Sequence, residues 1–496
     1  MQKNLGHVVR HAAAYLLARG VPAIISFLAI PLFTRLMDPE RYGRYALAAT
    51  SVALVNALFF QWIRLSFVRY LPAVRGNADR LKSTVLTCQV LLILIGGALV
   101  LGLCLAARLL PMLAGWGSVA GICWLVLAVQ PLFELFCEEA RANIQPRYFM
   151  ALQLARTALT TGLGATFIIL GLGWWGPLLG MFVGNLFPAI YAFRRGWLRI
   201  KFQIDREVLA KVCTYGIPLS LTVGLAYVIG SSDRYLIAYF LGDAAAGVYS
   251  VAVDFTSQTL TLLLMTISMA IVPLAMRSWE NNDHEGARQQ MRHNSALLLA
   301  IGIPAVIGLM ILAPGISYCF LGKTFRHDAA RIIPIVALGT FLSGYKAYYL
   351  DTAFQFVHRT IYQVWIVLFA AIVNIILNLI MIRPFGVIGA AGASVIAYLI
   401  SMVLTAYYGR RHFALPFPKL DFLQVLTAGG AMAVLLYPLR DSRGGVALVV
   451  QILTGGTLYG VVLLSLNFLG LRTLVVDRVL TKRGVVPQPV TVAAVR

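Results

Sequence analysis

Fourteen stretches of this chain are long and apolar enough to cross a lipid bilayer, and little else in the sequence constrains the fold so strongly. A spanning helix needs about 20 mostly apolar residues. By that measure the candidate spans are 11–34, 45–70, 83–110, 119–138, 149–171, 174–193, 209–232, 246–275, 295–320, 332–357, 361–382, 388–409, 422–438 and 446–468. Hydrophobic residues make up 60% of the 496 and charged residues only 12%, against about 25% charged in an average soluble domain. The expected fold class is an all-α polytopic membrane protein of about 14 transmembrane helices.

The formal net charge of +22 does not point to nucleic acid, because the basic residues are scattered over short interhelical segments without a separate basic domain. Positive flanks on the cytoplasmic side of membrane helices account for that scatter. The inner excess of Lys and Arg is carried by 69–82, 194–211, 410–419 and the tail, which places both termini inside. Trp174 and Trp175 then fall at an outer turn, where interfacial aromatics belong. The first apolar run has no small-residue cleavage site and is read as the first span, not a signal peptide. The tail from Gly470 is basic, then rich in Val and Pro, and is expected to be disordered. Six cysteines in apolar surroundings, without metal or redox spacing, read as packing residues.

Two echoes divide the chain. "TRLMDPERYGRYALA" (34–48) follows the first span and "AYFLGDAAAGVYSVA" (238–252) the seventh, aligning Gly43 with Gly247 and Tyr45 with Tyr249. "GLGWWGPLLG" (171–180) precedes the sixth span and "PFGVIGAAGA" (384–393) the twelfth, aligning Gly173 with Gly386 and Gly176 with Gly389. Matching order implies two six-helix bundles of equal orientation, an arrangement used by transporters with a site between two halves. The expected organisation is an N-terminal bundle over 1–200, a second over 201–412, two additional helices in 413–469, and a cytoplasmic tail from 470 to 496.

The runs "PLFTRLMDPERYGRYALA" (31–48), "SDRYLIAYFLGDAAAGVYSVA" (232–252) and "FGVIGAAGASV" (385–395) resemble the polysaccharide transporter family of O-antigen and exopolysaccharide flippases. That family lies within the multidrug/oligosaccharidyl-lipid/polysaccharide exporter superfamily. The resemblance covers roughly residues 10 to 410. It implies export of an undecaprenyl-pyrophosphate-linked oligosaccharide from the inner to the outer leaflet of the bacterial inner membrane. The implied partners are that substrate, membrane lipids, and the polymerase and export machinery of a glycan pathway.

Ionisable residues inside spans mark pathways and binding sites. The basic ones are Arg19, Arg64, Arg156 and Lys346, and the acids are Asp254, Asp351 and, near the outer end of span seven, Asp233. The surplus is positive and suits a pyrophosphate, whose oxygens guanidinium binds bidentately. Arg19 and Lys346, helped by Arg156 and Arg64, are the candidate substrate contacts. Arg64 lies five residues before Arg69 and either lines the cavity or snorkels to the interface. Tyr345 and Tyr349 flank Lys346 and either meet sugar rings or pack between helices. Lys346 and Asp351, five residues apart, fall about 140° apart round a regular helix, so Lys346 is expected to find its counter-charge elsewhere. Arg234 beside Asp233 is expected to face outer water or headgroups. Glu134, Glu138 and Glu139 are expected to be neutralised by Arg141 and Arg147. Asp254, with Asp351 in reserve, is the candidate for ion coupling, or else a neutral or paired packing acid.

No Walker-type phosphate loop, zinc motif or nucleophile elbow occurs, and no metal or cofactor is expected. Three other functions compete, one of them a non-transporting scaffold or assembly subunit, in which nothing would offset the desolvation of the buried charges. A cation/drug antiporter of the same superfamily would present acidic or apolar cavity residues. A polytopic glycan polymerase or ligase would carry its chemistry on a large outer loop, and the outer loops here are short.

Overall fold

The computed structural model describes residues 20–74, 78–109, 114–357, 359, 361–470 and 472; their regular structure is helical, without a strand. In chain order the helices are α1 (Gly20–Leu36), α2 (Pro39–Val74), α3 (Asp79–Leu109), α4 (Ala114–Ala142), α5 (Pro146–Leu172), α6 (Trp175–Gly196) and α7 (Arg206–Leu241). They continue with α8 (Asp243–Glu280), α9 (His284–Ile311), α10 (Ala313–Phe320), α11 (Arg326–Tyr345), α12 (Ile361–His412), α13 (Lys419–Leu436) and α14 (Gly445–Ser465). The starts are written locally. Asp38 accepts from the Arg41 N–H at 2.8 Å with Pro39 at the first helical position, and Asp205 caps α7 through the Glu207 and Val208 N–H groups.

Among the described residues, eleven helices are long and apolar enough to cross a membrane. The chain is a multi-pass membrane protein. The expected spans 361–382 and 388–409 are both helical and lie on either side of a kink at Gly386, whose backbone is non-helical (φ 60, ψ −141) within α12. The span expected at 11–34 is described only from Gly20. The one expected at 332–357 is broken by a π-helical turn over Lys346–Leu350 and carries two charges.

The chain groups into two compact units, one within Met1–Gln258, Phe320–Ile332 and Gln363–Ser401, the other within Thr259–Cys319, Ile333–Tyr362 and Met402–Arg496. In the first unit α5 and α6 pack backbone to backbone. A Cβ added at Gly180 would stand 2.6 Å from the Gly164 nitrogen, and one at Gly184 would stand 2.2 Å from the Thr160 hydroxyl. Small residues four apart on both helices permit this approach, which in lipid is a main source of helix association. It fixes α5 along the stretch that carries Arg156.

Both echoes are expressed in the first unit. A Cβ at Gly43 would sit 1.9 Å from the Asp243 carbonyl oxygen, and one at Gly247 would sit 2.0 Å from the Pro39 carbonyl oxygen. The contact is reciprocal: the same positions of the two echoes face each other, and Arg44 bridges to Asp243 at 3.0 Å. Gly173 (φ 55, ψ −130) and Gly386 (φ 60, ψ −141) share one unusual backbone conformation that an L side chain would strain.

In the second unit α13 and α14 pack on α9. Pro304 has no N–H, so the Ala300 carbonyl one turn earlier loses its helical donor. The Tyr459 hydroxyl of α14 donates to that oxygen at 2.7 Å.

Candidate functional site

The first unit holds a cavity of about 280 Å³ lined by Pro22, Arg64, Glu134, Cys137, Glu138, Arg141, Phe149, Gln153 and Arg156. It lies near the helix ends that the Lys and Arg distribution assigns to the inner side. Arg64 reaches it from α2, just beyond a π-helical turn over Asn56–Phe60. A π turn adds a residue to the helix and re-aims the side chains beyond it. Glu134 comes from α4, and Arg156 from the α5 face fixed by the small-residue contact with α6.

Arg64 lines this cavity. Its guanidinium pairs with the Glu134 carboxylate, and their side chains are 21% and 16% exposed. Glu134 also accepts from Asn56 Nδ2 and Gln130 Nε2, both at 2.9 Å. The expectation that Arg141 and Arg147 neutralise the acids of α4 holds for Glu138, through Arg141, and is corrected for Glu134 and Glu139. Arg141 takes Glu138 at 2.8 Å, while Glu139 pairs with Lys82 and accepts from the Trp197 indole at 2.5 Å. Arg156 lies over the Phe133 ring at 5.4 Å, and among the described residues no carboxylate pairs with it. Chemically, the cavity offers three guanidiniums, of which Arg64 and Arg141 are each paired with one carboxylate and Arg156 with none among the described residues, which suits a doubly charged oxyanion.

Lys346 belongs to the second unit and contradicts the helical-wheel argument. Its ammonium donates to both Asp351 carboxylate oxygens, at 2.8 and 3.0 Å. The cause is the π turn: the Asp351 N–H bonds the Lys346 carbonyl at 2.9 Å, and an i→i+5 turn brings residues five apart back to one face. Tyr345 and Tyr349 are buried there. Tyr345 shares a hydrogen bond with Ser295 at 2.6 Å, and Tyr349 donates to the Pro416 carbonyl at 2.6 Å. Arg19 lies outside the described residues.

Asp254 is not isolated either. Arg234, expected to face water, is turned inward and pairs with Asp254 at 2.5 Å, with the Arg234 side chain 12% exposed. The acid that the sequence leaves in the background, Asp233, occupies the more unusual position. It is buried and accepts from Tyr249 at 2.7 Å, from Asn378 at 2.6 Å and from the Ser394 hydroxyl. Each of those donors is neutral, and Asn374 joins the network through Ser394 and Asn378. The signal that could have found it is Asn374 and Asn378, two amides one turn apart inside an apolar span. Gln130 and Glu134 carry the same signal in α4.

Known proteins resemble this chain in both sequence and fold. The profile of the family described as "Polysaccharide biosynthesis protein" matches residues 32–330. The chain is 27% identical over 248 residues to the Haloferax volcanii protein named "Probable flippase AglR", covering 47% of this chain and 50% of that one. It is 22% identical over 341 residues to "Succinoglycan biosynthesis transport protein ExoT" of Rhizobium meliloti, covering 68% and 66%. The chain thus spans about half the length of the first curated relatives it matches. Among solved structures, that of "Lipid II flippase MurJ, inward closed conformation" aligns with TM-score 0.74 at 16% identity, over 93% of this chain and 99% of that one. At that identity the likeness speaks for the fold alone.

Proposed function

Since the chain belongs to the polysaccharide biosynthesis protein family, we propose that it is a flippase for a lipid-linked glycan. It moves an undecaprenyl-pyrophosphate-linked oligosaccharide from the inner to the outer leaflet of the bacterial inner membrane by alternating access. The observation that carries this reading is the cavity in which Arg64 and Arg156 converge with one charge left uncompensated after the Glu134 pair. A polyprenyl pyrophosphate supplies the matching oxyanion, and its tail stays in lipid while the sugar follows the head. Lys346 in the second unit is kept as a further substrate contact, and Arg19 as a fourth. Both termini are cytoplasmic in this reading, so reporter fusions at residues 200 and 285 report inside and one at 325 outside. A glycan polymerase and export machinery would receive the product.

The test is reconstitution of the full chain in liposomes carrying a fluorescent short-chain polyprenyl-pyrophosphate saccharide on one leaflet. Transfer to the other leaflet supports the reading. No transfer, together with export of a cationic dye against a proton gradient, replaces it with the antiporter.

Ion coupling is assigned to Asp233, because Asp254 and Asp351 are both engaged by basic side chains, whereas Asp233 receives only neutral donors. A carboxylate buried without a cation is a place for a proton or a small cation to enter and leave. In the same liposomes an imposed proton or sodium gradient is expected to speed transfer by the wild type. Asp233→Asn is expected to lose that response while still binding pyrophosphate. An unchanged response in the variant excludes Asp233.

A further inference from the structure

Glu134 puts a carboxylate where an anion is supposed to bind, and the flipping cycle alone gives it no role. We propose that Glu134 is a resident counter-anion, holding Arg64 while the cavity is empty and yielding it to a phosphate oxygen of the incoming pyrophosphate. The inference rests on the flippase reading of this cavity.

Three features of the geometry lead to it. First, Glu134 is held from behind. Asn56 from the π turn of α2 and Gln130 from the preceding turn of α4 donate to its two oxygens, both at 2.9 Å. When Arg64 swings away, the carboxylate keeps a hydrogen bond on each oxygen and stays where it is. The exchange therefore trades one charge-assisted bond of Arg64 for another and leaves neither Glu134 oxygen without a donor.

Second, the two guanidiniums differ. Arg156 has no carboxylate among the described residues and lies against Phe133, the residue before Glu134. It is available for first capture, and Arg64 is held in reserve.

Third, the carboxylate trims the charge. With Glu134 ionised, Arg64 and Arg156 together present one net positive charge instead of two. A site that must release its cargo on the far side gains from such moderation, as a conduction site does when it binds well enough to admit an ion and weakly enough to let it go. Glu134 thus sets how tightly the head group is held.

The experiment titrates purified full-length protein in detergent with inorganic pyrophosphate and with farnesyl pyrophosphate. It compares wild type, Glu134→Gln, Arg64→Gln, Arg156→Gln and the Glu134→Gln/Arg64→Gln double variant. Removing the competitor is expected to tighten Kd in Glu134→Gln by about tenfold and to slow transfer in liposomes at saturating substrate. Arg64→Gln should weaken binding, and the double variant, which regains one net positive charge, should bind more tightly than Arg64→Gln and more weakly than Glu134→Gln. Glu134→Gln binding no tighter than wild type, while Arg64→Gln binds more weakly, overturns the counter-anion and leaves the flippase site standing. Unchanged Kd in both Arg64→Gln and Arg156→Gln instead overturns the site reading itself. If Glu134→Gln is not recovered folded, Glu134→Asp retracts the carboxylate by one methylene and is expected to tighten Kd by about threefold. No tightening there overturns the proposal equally.

Discussion

An Arg64→Ala protein is expected to lose both transport and stability, and a second substitution separates the two losses. The missing guanidinium forfeits a charge-assisted contact of about 1.5–3 kcal/mol with the phosphate, a ten- to hundredfold loss of affinity. It also strands the Glu134 carboxylate in a site where that side chain is only 16% exposed. Breaking a buried pair by removing one partner costs about 3–5 kcal/mol, and this pair, open to a cavity, belongs at the low end. The melting temperature in detergent should fall accordingly. In Arg64→Ala/Glu134→Gln the stranded charge is gone, the new amide oxygen accepts from Asn56 while its NH2 donates to Gln130 Oε1 once that amide flips, and stability should return. Transfer of the lipid-linked saccharide should not return with it. If the double variant flips substrate at the wild-type rate, Arg64 holds α2 to α4 and does nothing for the cargo.

The second large effect is expected from Gly247→Val. Its side chain would enter a space in which even a Cβ stands 2.0 Å from the Pro39 carbonyl oxygen, and Gly43 faces the same obstacle from the other side. The obstructing atoms are backbone, so no rotamer change relieves the clash, and the starts of α2 and α8 must separate. Overpacking of this kind costs about 1–3 kcal/mol, and separation also stretches the Arg44–Asp243 bridge. Spin labels at residues 41 and 244 should report a longer distance in Gly247→Val, with a lower melting temperature. Gly162→Ala is the control: nothing lies within 4 Å of a Cβ there, and stability should hold or rise slightly. A wild-type label distance in Gly247→Val would mean that the helices accommodate the side chain by some other movement.

Much of the fold is legible in the sequence because lipid imposes a simple ruler and because glycine is demanded by geometry, not by taste. Gly43 and Gly247 pair by position in the sequence and also pair in space; Gly173 and Gly386 align and share one backbone conformation. The charges are harder. That Arg64, Arg156 and Lys346 sit inside helices is readable, but the identity of each partner is not. Lys346 and Asp351 are kept apart by a calculation that assumes a regular helix, and the π turn removes that assumption. Arg234 and Asp254 lie twenty residues apart on consecutive helices, and only tertiary packing brings them together. Asp233 reads as an outer, structural residue because its neighbours in sequence are unexceptional, whereas its partners come from α8 and α12.

The hydrogen bond from Tyr459 to the Ala300 carbonyl bears on how such a protein can be shortened. The last two helices fall outside both echoes, and a minimal version ending after His412 would be an obvious design. That truncation would remove the donor for the oxygen that Pro304 leaves bare, and an unsatisfied carbonyl facing lipid costs several kcal/mol. The lost group would lie one turn before Pro304, where the proline already interrupts the hydrogen bonding of α9. Trimming the chain therefore has to begin in α9, by replacing Pro304 with a residue that restores the helical N–H, before α14 can be dispensed with.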